Sequence, residues 1–371
     1  MRSGIDPVAI AAAADADCFI CLFDGVHSFL EPEPVLELTG FKALDECAVV
    51  VDRAGAMTMV VTPAWDAGRA RAPRAPARGG PRVIGSDDAL DALVAEVAGR
   101  RIAVAGLDAV PERYAQRLGK VAHVVAVDDA VYRRERPKTS DELARARRAA
   151  TIAEDAYRRL LAEVRPGAAE HQLAARLNAD VRRAGADDFF LGFSADRVGR
   201  RLRQPTERRL SEGDVVNVEV SPSVEGQFVQ ICRTVVVGQA TTAQRREYAL
   251  LAAAFAAGLA AAIPGTTVGQ VVAAIDQPLA EAGLGEYTRP PHIRVRGHGL
   301  GLASTSPGDI AFDSATVLEE GMAFVLHPNQ PLPTLGYVLC GEPVVIRAQG
   351  AQPLTRTAPH LDATALGQTT D

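Results

Sequence analysis

An α/β domain over residues 1–132 followed by an α+β domain over 137–360 is the fold class this sequence predicts. Three observations predict it. Up to about residue 130, short β-rich apolar runs alternate with helical periodicity. Beyond that point, long helices come in pairs, each pair followed by a strand-rich stretch. And 371 residues exceed the roughly 250–300 at which a single core stops growing.

In the first domain the predicted strands are "CFICLFDG" (18–25), "CAVVVD" (47–52), "MTMVVTP" (57–63), "RIAVAGL" (101–107) and "VAHVVAV" (121–127). "DDALDALVAEVAGR" (87–100) has apolar residues at helical spacing and ends in glycine and a basic residue. The Pro/Gly/Arg-rich stretch 67–82 reads as an exposed, mobile loop. Cys18 and Cys21 form a C-x-x-C, but inside a buried-strand pattern with no helix start behind it.

The second domain opens with a long amphipathic helix in 136–164. Thr139 and Glu142 have capping-box spacing, and Leu143, Ala146, Ala150, Ala153, Tyr157 and Leu161 form its apolar stripe. A second helix covers about 169–184, stopped by Gly185. Residues 213–238 hold two alternating runs joined around Pro222 to Gly226, which predicts a β-hairpin. Helices return at about 242–262 and 268–283, and strands at 322–328 and 336–347.

Composition excludes several function classes. A net charge of −6 gives no basic face for nucleic acid. No apolar run approaches the ~20 residues of a membrane span, and no signal-peptide pattern is present. The five cysteines fit a reducing compartment, so a cytoplasmic location is expected.

Four polar residues interrupt apolar surroundings: Glu219 in "VNVEVS", Gln230 in "FVQICRT", His298 in "RGHGLG" and His327 in "FVLHPN". Alternation places Asn217, Glu219 and Ser221 on one face of their strand and Val216, Val218 and Val220 on the other. A buried carboxylate must be satisfied or it costs several kcal/mol. Together, an acid, an amide and two histidines point to a site. His27, His123, His171 and His360 have no comparable context.

"SEGDVVNVEVSPSVEGQFVQICRTVVVG", "GHGLGL" and "LEEGMAFVLHP" resemble the signature blocks of the pita-bread metallopeptidase family, which contains methionine aminopeptidase, prolidase, aminopeptidase P and the non-peptidase creatinase. "LELTGF" and "RPKTSDEL" resemble its two-domain branch. The resemblance implies a creatinase-like N-terminal α/β domain, a pita-bread C-terminal domain and a homodimer. Peptidases of the family hold two metal ions with two aspartates, one histidine and two glutamates. On the matching blocks these positions carry Glu219, Gln230, His298, His327 and, at or beside the last, Gly341, with Glu342 next to it. The family's two assisting histidines fall near Leu202 and at Thr305. A dinuclear centre needs several carboxylates to offset two cations, so a classical dinuclear aminopeptidase is not expected.

The departures lead to a non-peptidase expectation: a creatinase-like hydrolase or lyase that cleaves a C–N bond in a small polar nitrogen compound without a metal. His298 would shuttle a proton, Glu219 would orient it or act as base, and His327 would complete the catalytic group. Gln230, His292, Thr305 and Glu342 are the expected substrate contacts. Two alternatives stay open. Glu219, His298 and His327 could hold one iron, zinc or manganese ion, or the pocket could bind a peptide or partner without catalysis.

Overall fold

The computed structural model describes residues 5–30, 33–71, 80–134, 137–303 and 308–364. The expected contact Thr305 and most of the predicted loop (72–79) lie outside the described residues. The chain forms two compact units, Met1–Asp141 and Glu142–Asp371.

The first unit is a six-stranded mixed sheet. Its elements run α1 (Pro7–Ala13), β1 (Cys18–Phe23), α2 (Pro34–Thr39), β2 (Cys47–Asp52), β3 (Met57–Val61), α3 (Ala67–Ala70), β4 (Arg82–Gly85), α4 (Ala89–Val97), β5 (Arg101–Ala105), α5 (Arg113–Val121), β6 (His123–Ala126) and α6 (Asp128–Arg134). The strand order is β4-β3-β2-β1-β5-β6. β1 is buried on both faces, so it reads as a continuous apolar run rather than an alternating one. Cys18 and Cys21 are three residues apart and therefore point to opposite faces, into two different cores. This geometry gives the C-x-x-C no shared site.

The second unit contains α7 (Ser140–Leu161), α8 (Glu170–Arg183), β7 (Asp188–Asp196), β8 (Val215–Val224), β9 (Gln227–Phe228), β10 (Ile231–Val236), α9 (Thr242–Ala261) and α10 (Val268–Leu279). There follow β11 (Gly297–Gly299), β12 (Ala323–Leu326), β13 (Gln330–Leu332), β14 (Gly336–Val338), β15 (Glu342–Arg347), β16 (Gly350–Pro353) and β17 (Asp362–Ala363). One sheet runs β17-β10-β8-β7, with β9 on β8, and a second runs β11-β12-β15-β16. The predicted hairpin is β8–β9–β10, turning at Glu225 and Gly226. Both turn residues have positive φ (49° and 79°), the backbone of a two-residue type I′ turn.

Each sheet has one apolar face covered by a helix pair. Val216, Val218, Val220 and Ile231 pack on α7 and α8. Phe324, Leu326, Val344 and Ile346 pack on α9 and α10. α9 and α10 both begin with capping boxes, Thr241 with Gln244 and Thr267 with Gln270, which fix where they start. The sheets meet where Cys232 and Gly341 exchange two backbone hydrogen bonds, 3.0 and 3.2 Å long. That seam brings the polar faces of both sheets to one place. Among the described residues, no helix is long and apolar enough to cross a membrane.

Candidate active site

The β8–β10 register sets the first wall. Glu219 is opposite Cys232 and Asn217 opposite Thr234, so these side chains share a face. Alternation from them puts Ser221 and Gln230 on the same face. On the other side of β8, Glu219 is opposite Gly192. A Cβ at Gly192 would lie 2.5 Å from Leu202 Cδ1 and 3.3 Å from Glu219 Cβ. Gly192 is therefore what lets Leu202 settle beside the acid.

The second wall comes from β11 and β12. His298 is opposite Val325, and His327 continues that face two residues on. The two imidazole rings meet edge to face, centroids 5.1 Å apart. Gly341 closes the seam below them. A Cβ there would come within 2.6 Å of His327 Cβ and 3.1 Å of Cys232 Cβ. Gly341 thus occupies the position from which a side chain would enter the site, and it has none. The hydrogen bond from Phe228 N–H to the Gly301 carbonyl, 2.8 Å, ties β9 to the loop after His298.

Burial sets the electrostatics. The Glu219 carboxyl is pushed up to about 7 by burial, against the pull of hydrogen bonds from Gln230 and Cys232. Its carboxylate oxygen lies 3.9 Å from Cys232 Sγ. Burial, then the neighbouring His298, pulls His327 down to about 3, so its ring is neutral at physiological pH. Burial and the Glu219 charge hold the Cys232 thiol well above its usual range. Two atoms on this face, Gln230 Oε1 and Ser221 Oγ, are buried with no hydrogen-bond partner in the protein. Orphaned polar atoms of this kind cost stability, which points to a ligand or water that satisfies them.

Not every expected residue belongs here. Glu342 faces the other side of its strand. It is fully buried and paired with Arg233 at 2.6 Å, and Arg233 Nη1 donates to the carbonyls of Gly341 (2.9 Å) and Cys232 (3.1 Å). Its expected role as a substrate contact is therefore corrected. It is half of a clamp holding the seam from the core side, and one residue of register moved it out of the site. His292 packs its ring on Tyr287, centroids 4.8 Å apart, and its carbonyl accepts a hydrogen bond from exposed Arg201 at 2.5 Å. Nothing in that packing joins it to the His298–His327 pair.

The two-ion centre does not fit these residues. The face offers one acid, Glu219, beside neutral Gln230, apolar Leu202 and Gly341, which has no side chain. Among the described residues, no three His, Cys, Asp or Glu side chains converge as a metal-holding group, so the expected triad of Glu219, His298 and His327 is not assembled as ligands. Sequence reading missed Leu202 as an apolar neighbour of Glu219 and Gly341 as the gap under His327. It also missed Tyr337, whose carbonyl accepts from Asn217 Nδ2 at 2.7 Å and whose phenol is raised above its usual range by burial, against the pull of Arg201. The alternation that marks Asn217 and Ser221 was readable, and so was their hairpin partner β10, but β7 on the other side of β8 was not.

Residues 144–349 match metallopeptidase family M24. Over 248 residues the chain is 30% identical to an uncharacterized peptidase of Bacillus subtilis, YqhT, covering 65% of this chain and 68% of that protein. Over 239 residues it is 28% identical to an Xaa-Pro dipeptidase of Pyrococcus furiosus, covering 63% and 67%. Its fold is that of the P. furiosus prolidase (TM-score 0.80, 23% identity, 94% and 99% covered). It is equally that of the X-Pro aminopeptidase of Thermotoga maritima (TM-score 0.81, 19% identity, 96% and 98% covered). The chain belongs to metallopeptidase family M24 and has its pita-bread fold. These relatives overturn the non-peptidase, creatinase-like expectation, which had weighed the substituted ligand positions above the rest of the chain.

Proposed function

We propose that the chain hydrolyses peptide bonds in short peptides, and that dipeptides with proline second are the substrates to test first. The observation that carries this reading is the polar face at the Cys232–Gly341 seam, inside the matched segment, where Glu219, the neutral His327 ring and His298 come together. A carboxyl near 7 can take a proton from water and return it to a leaving amine at neutral pH. Neutral His327 can accept a hydrogen bond, with His298 beside its ring. Gln230 Oε1 and Ser221 Oγ are free to accept the N–H groups of a bound peptide. Leu202 gives the acid an apolar neighbour.

The donor set gives no support to two metal ions. We propose one divalent ion at most, iron, zinc or manganese, and Glu219, His298 and His327 would have to turn towards one another to hold it. A second copy of the chain as partner and a cytoplasmic location belong to the same proposal. They rest on the likeness to the two-domain branch and on the five unbridged cysteines.

The test is proline release from a panel of Xaa-Pro dipeptides by the purified protein, as isolated and after incubation with each of the three metals, with Glu219→Gln beside it. Release that disappears in the variant supports the reading. No release from any short peptide under any of these conditions overturns it.

A further inference from the structure

Arg296 is the largest fully buried side chain among the described residues, at 1% exposure. Its guanidinium is satisfied on every side. Nε and Nη2 reach Asp276 Oδ1 at 2.8 and 2.7 Å. Nη1 donates to the Asn329 carbonyl at 2.9 Å and Nη2 to Gln330 Oε1 at 3.0 Å. Its backbone is committed as well: His327 N–H donates to the Arg296 carbonyl at 2.9 Å, and Arg296 N–H donates to Ile310 at 2.8 Å.

These bonds have a pattern. Arg296 stands two residues before His298 and hydrogen-bonds the backbone of His327. Its head group fixes the segment just beyond His327. Asn329 N–H donates to the His327 carbonyl at 2.6 Å, and the Asn329 amide nitrogen lies 3.5 Å from His327 Nδ1. Asn329 Oδ1 in turn accepts from Cys340 N–H at 3.0 Å, next to Gly341 at the seam. Asp276 anchors the assembly to α10, and Arg289 shares that carboxylate. One planar, five-donor group thus ties α10, the approach to His298 and the His327–Gln330 turn together. Lysine, a point charge with three donors, cannot meet all of these acceptors at once. A buried ion pair is a poor source of net stability compared with apolar packing of the same volume. What it supplies here is geometry.

We propose that Arg296, held by Asp276, is the positioning residue of the His298–His327 pair: it sets the spacing of the two rings and does not touch substrate. The inference rests on the proposed function only where turnover is read.

The experiment uses the full chain labelled with 13C at histidine. It measures the nuclear Overhauser effect between the His298 and His327 ring protons, and separately kcat and KM on whichever peptide is cleaved. The variants are Arg296→Met, Arg296→Lys and Gln330→Leu, with Val272→Ala as a control that weakens the α10 core without touching the network. The expected result is loss of the ring–ring signal in Arg296→Met and a kcat at least tenfold lower with KM within about twofold. Arg296→Lys should restore part of both, and Val272→Ala should change neither. A folded Arg296→Met that keeps the signal overturns the proposal, as does a control that loses it equally. If Arg296→Met does not fold, Gln330→Leu decides: a weakened signal supports positioning and an unchanged one overturns it. Should no peptide be cleaved at all, the proposed function fails and the ring–ring signal still answers this question.

Discussion

Glu219, half-buried, and Glu342, fully buried, are two acids on opposite faces of one seam. Burial pushes both up to about 7. On the core side, neither Glu342 oxygen makes an aligned hydrogen bond, but the Arg233 charge lies 2.6 Å away, and Arg233 also holds the two carbonyls that join the sheets. On the site side, Glu219 has a neutral amide, a thiol and Leu202, and two further polar atoms there have no partner. An elevated acid is therefore not in itself a sign of function. The counter-ion decides: an acid held by a buried arginine is part of the framework, and an acid with only an amide and a thiol beside it is open to something outside the chain.

The sharpest way to break that contrast is to remove the clamp. Glu342→Gln leaves the Arg233 charge buried and alone, and Arg233→Met does the converse. Each should cost about 3–5 kcal/mol, read by urea unfolding. A loss near zero would mean that the seam is held by its backbone bonds alone. Glu219→Gln should do the opposite. The protein should stay folded, with its melting temperature unchanged or raised, while turnover falls by about 10²–10⁴-fold.

The pH dependence of stability sharpens the comparison. An acid raised in the folded state binds its proton more tightly there than in the unfolded chain. Its contribution is thus favourable at low pH and is lost as pH rises from about 4.5 to about 7. For Glu219 the loss is on the order of 3 kcal/mol across that window. Glu219→Gln should remove that part of the slope, which unfolding measured at pH 5 and pH 8 will reveal. A variant with the wild-type slope would mean that Glu219 is better solvated than its surroundings imply. A smaller effect is expected at the seam itself. Gly341→Ala puts a methyl within 2.6 Å of His327 Cβ and 3.0 Å of the Leu326 carbonyl, costing about 1–3 kcal/mol and displacing His327. Full stability and activity in that variant would show that the gap below His327 is loose.

Much of this was legible before any coordinates. The β8 face reads directly from "VNVEVS", because a two-residue period separates Glu219 from Val218 and Val220 whatever the strand pairs with. The hairpin reads from Pro222 to Gly226, although the turn itself is only Glu225 and Gly226. The short elements were not legible. β11 is three residues, Gly297–Gly299, and is held by β12 on one side and by Gly308–Ile310 on the other, neither visible from its own sequence. Glu342 could not be placed, since one residue of register decides between site and core, and "CGEP" carries no signal for that choice. Arg296 was invisible for another reason: its meaning comes from Asp276, twenty residues earlier on a helix, and no local pattern links them. The function was misread because the substituted ligand positions were given more weight than the rest of the chain.

The most direct test of the account is to put Glu219→Gln and Glu342→Gln through the same two measurements: turnover of an Xaa-Pro dipeptide per folded molecule, and free energy of unfolding. The account predicts that Glu219→Gln is stable and inactive, while Glu342→Gln is unstable but turns over normally in its folded fraction. If Glu219→Gln keeps its turnover, the chemistry lies elsewhere than the polar face at the Cys232–Gly341 seam.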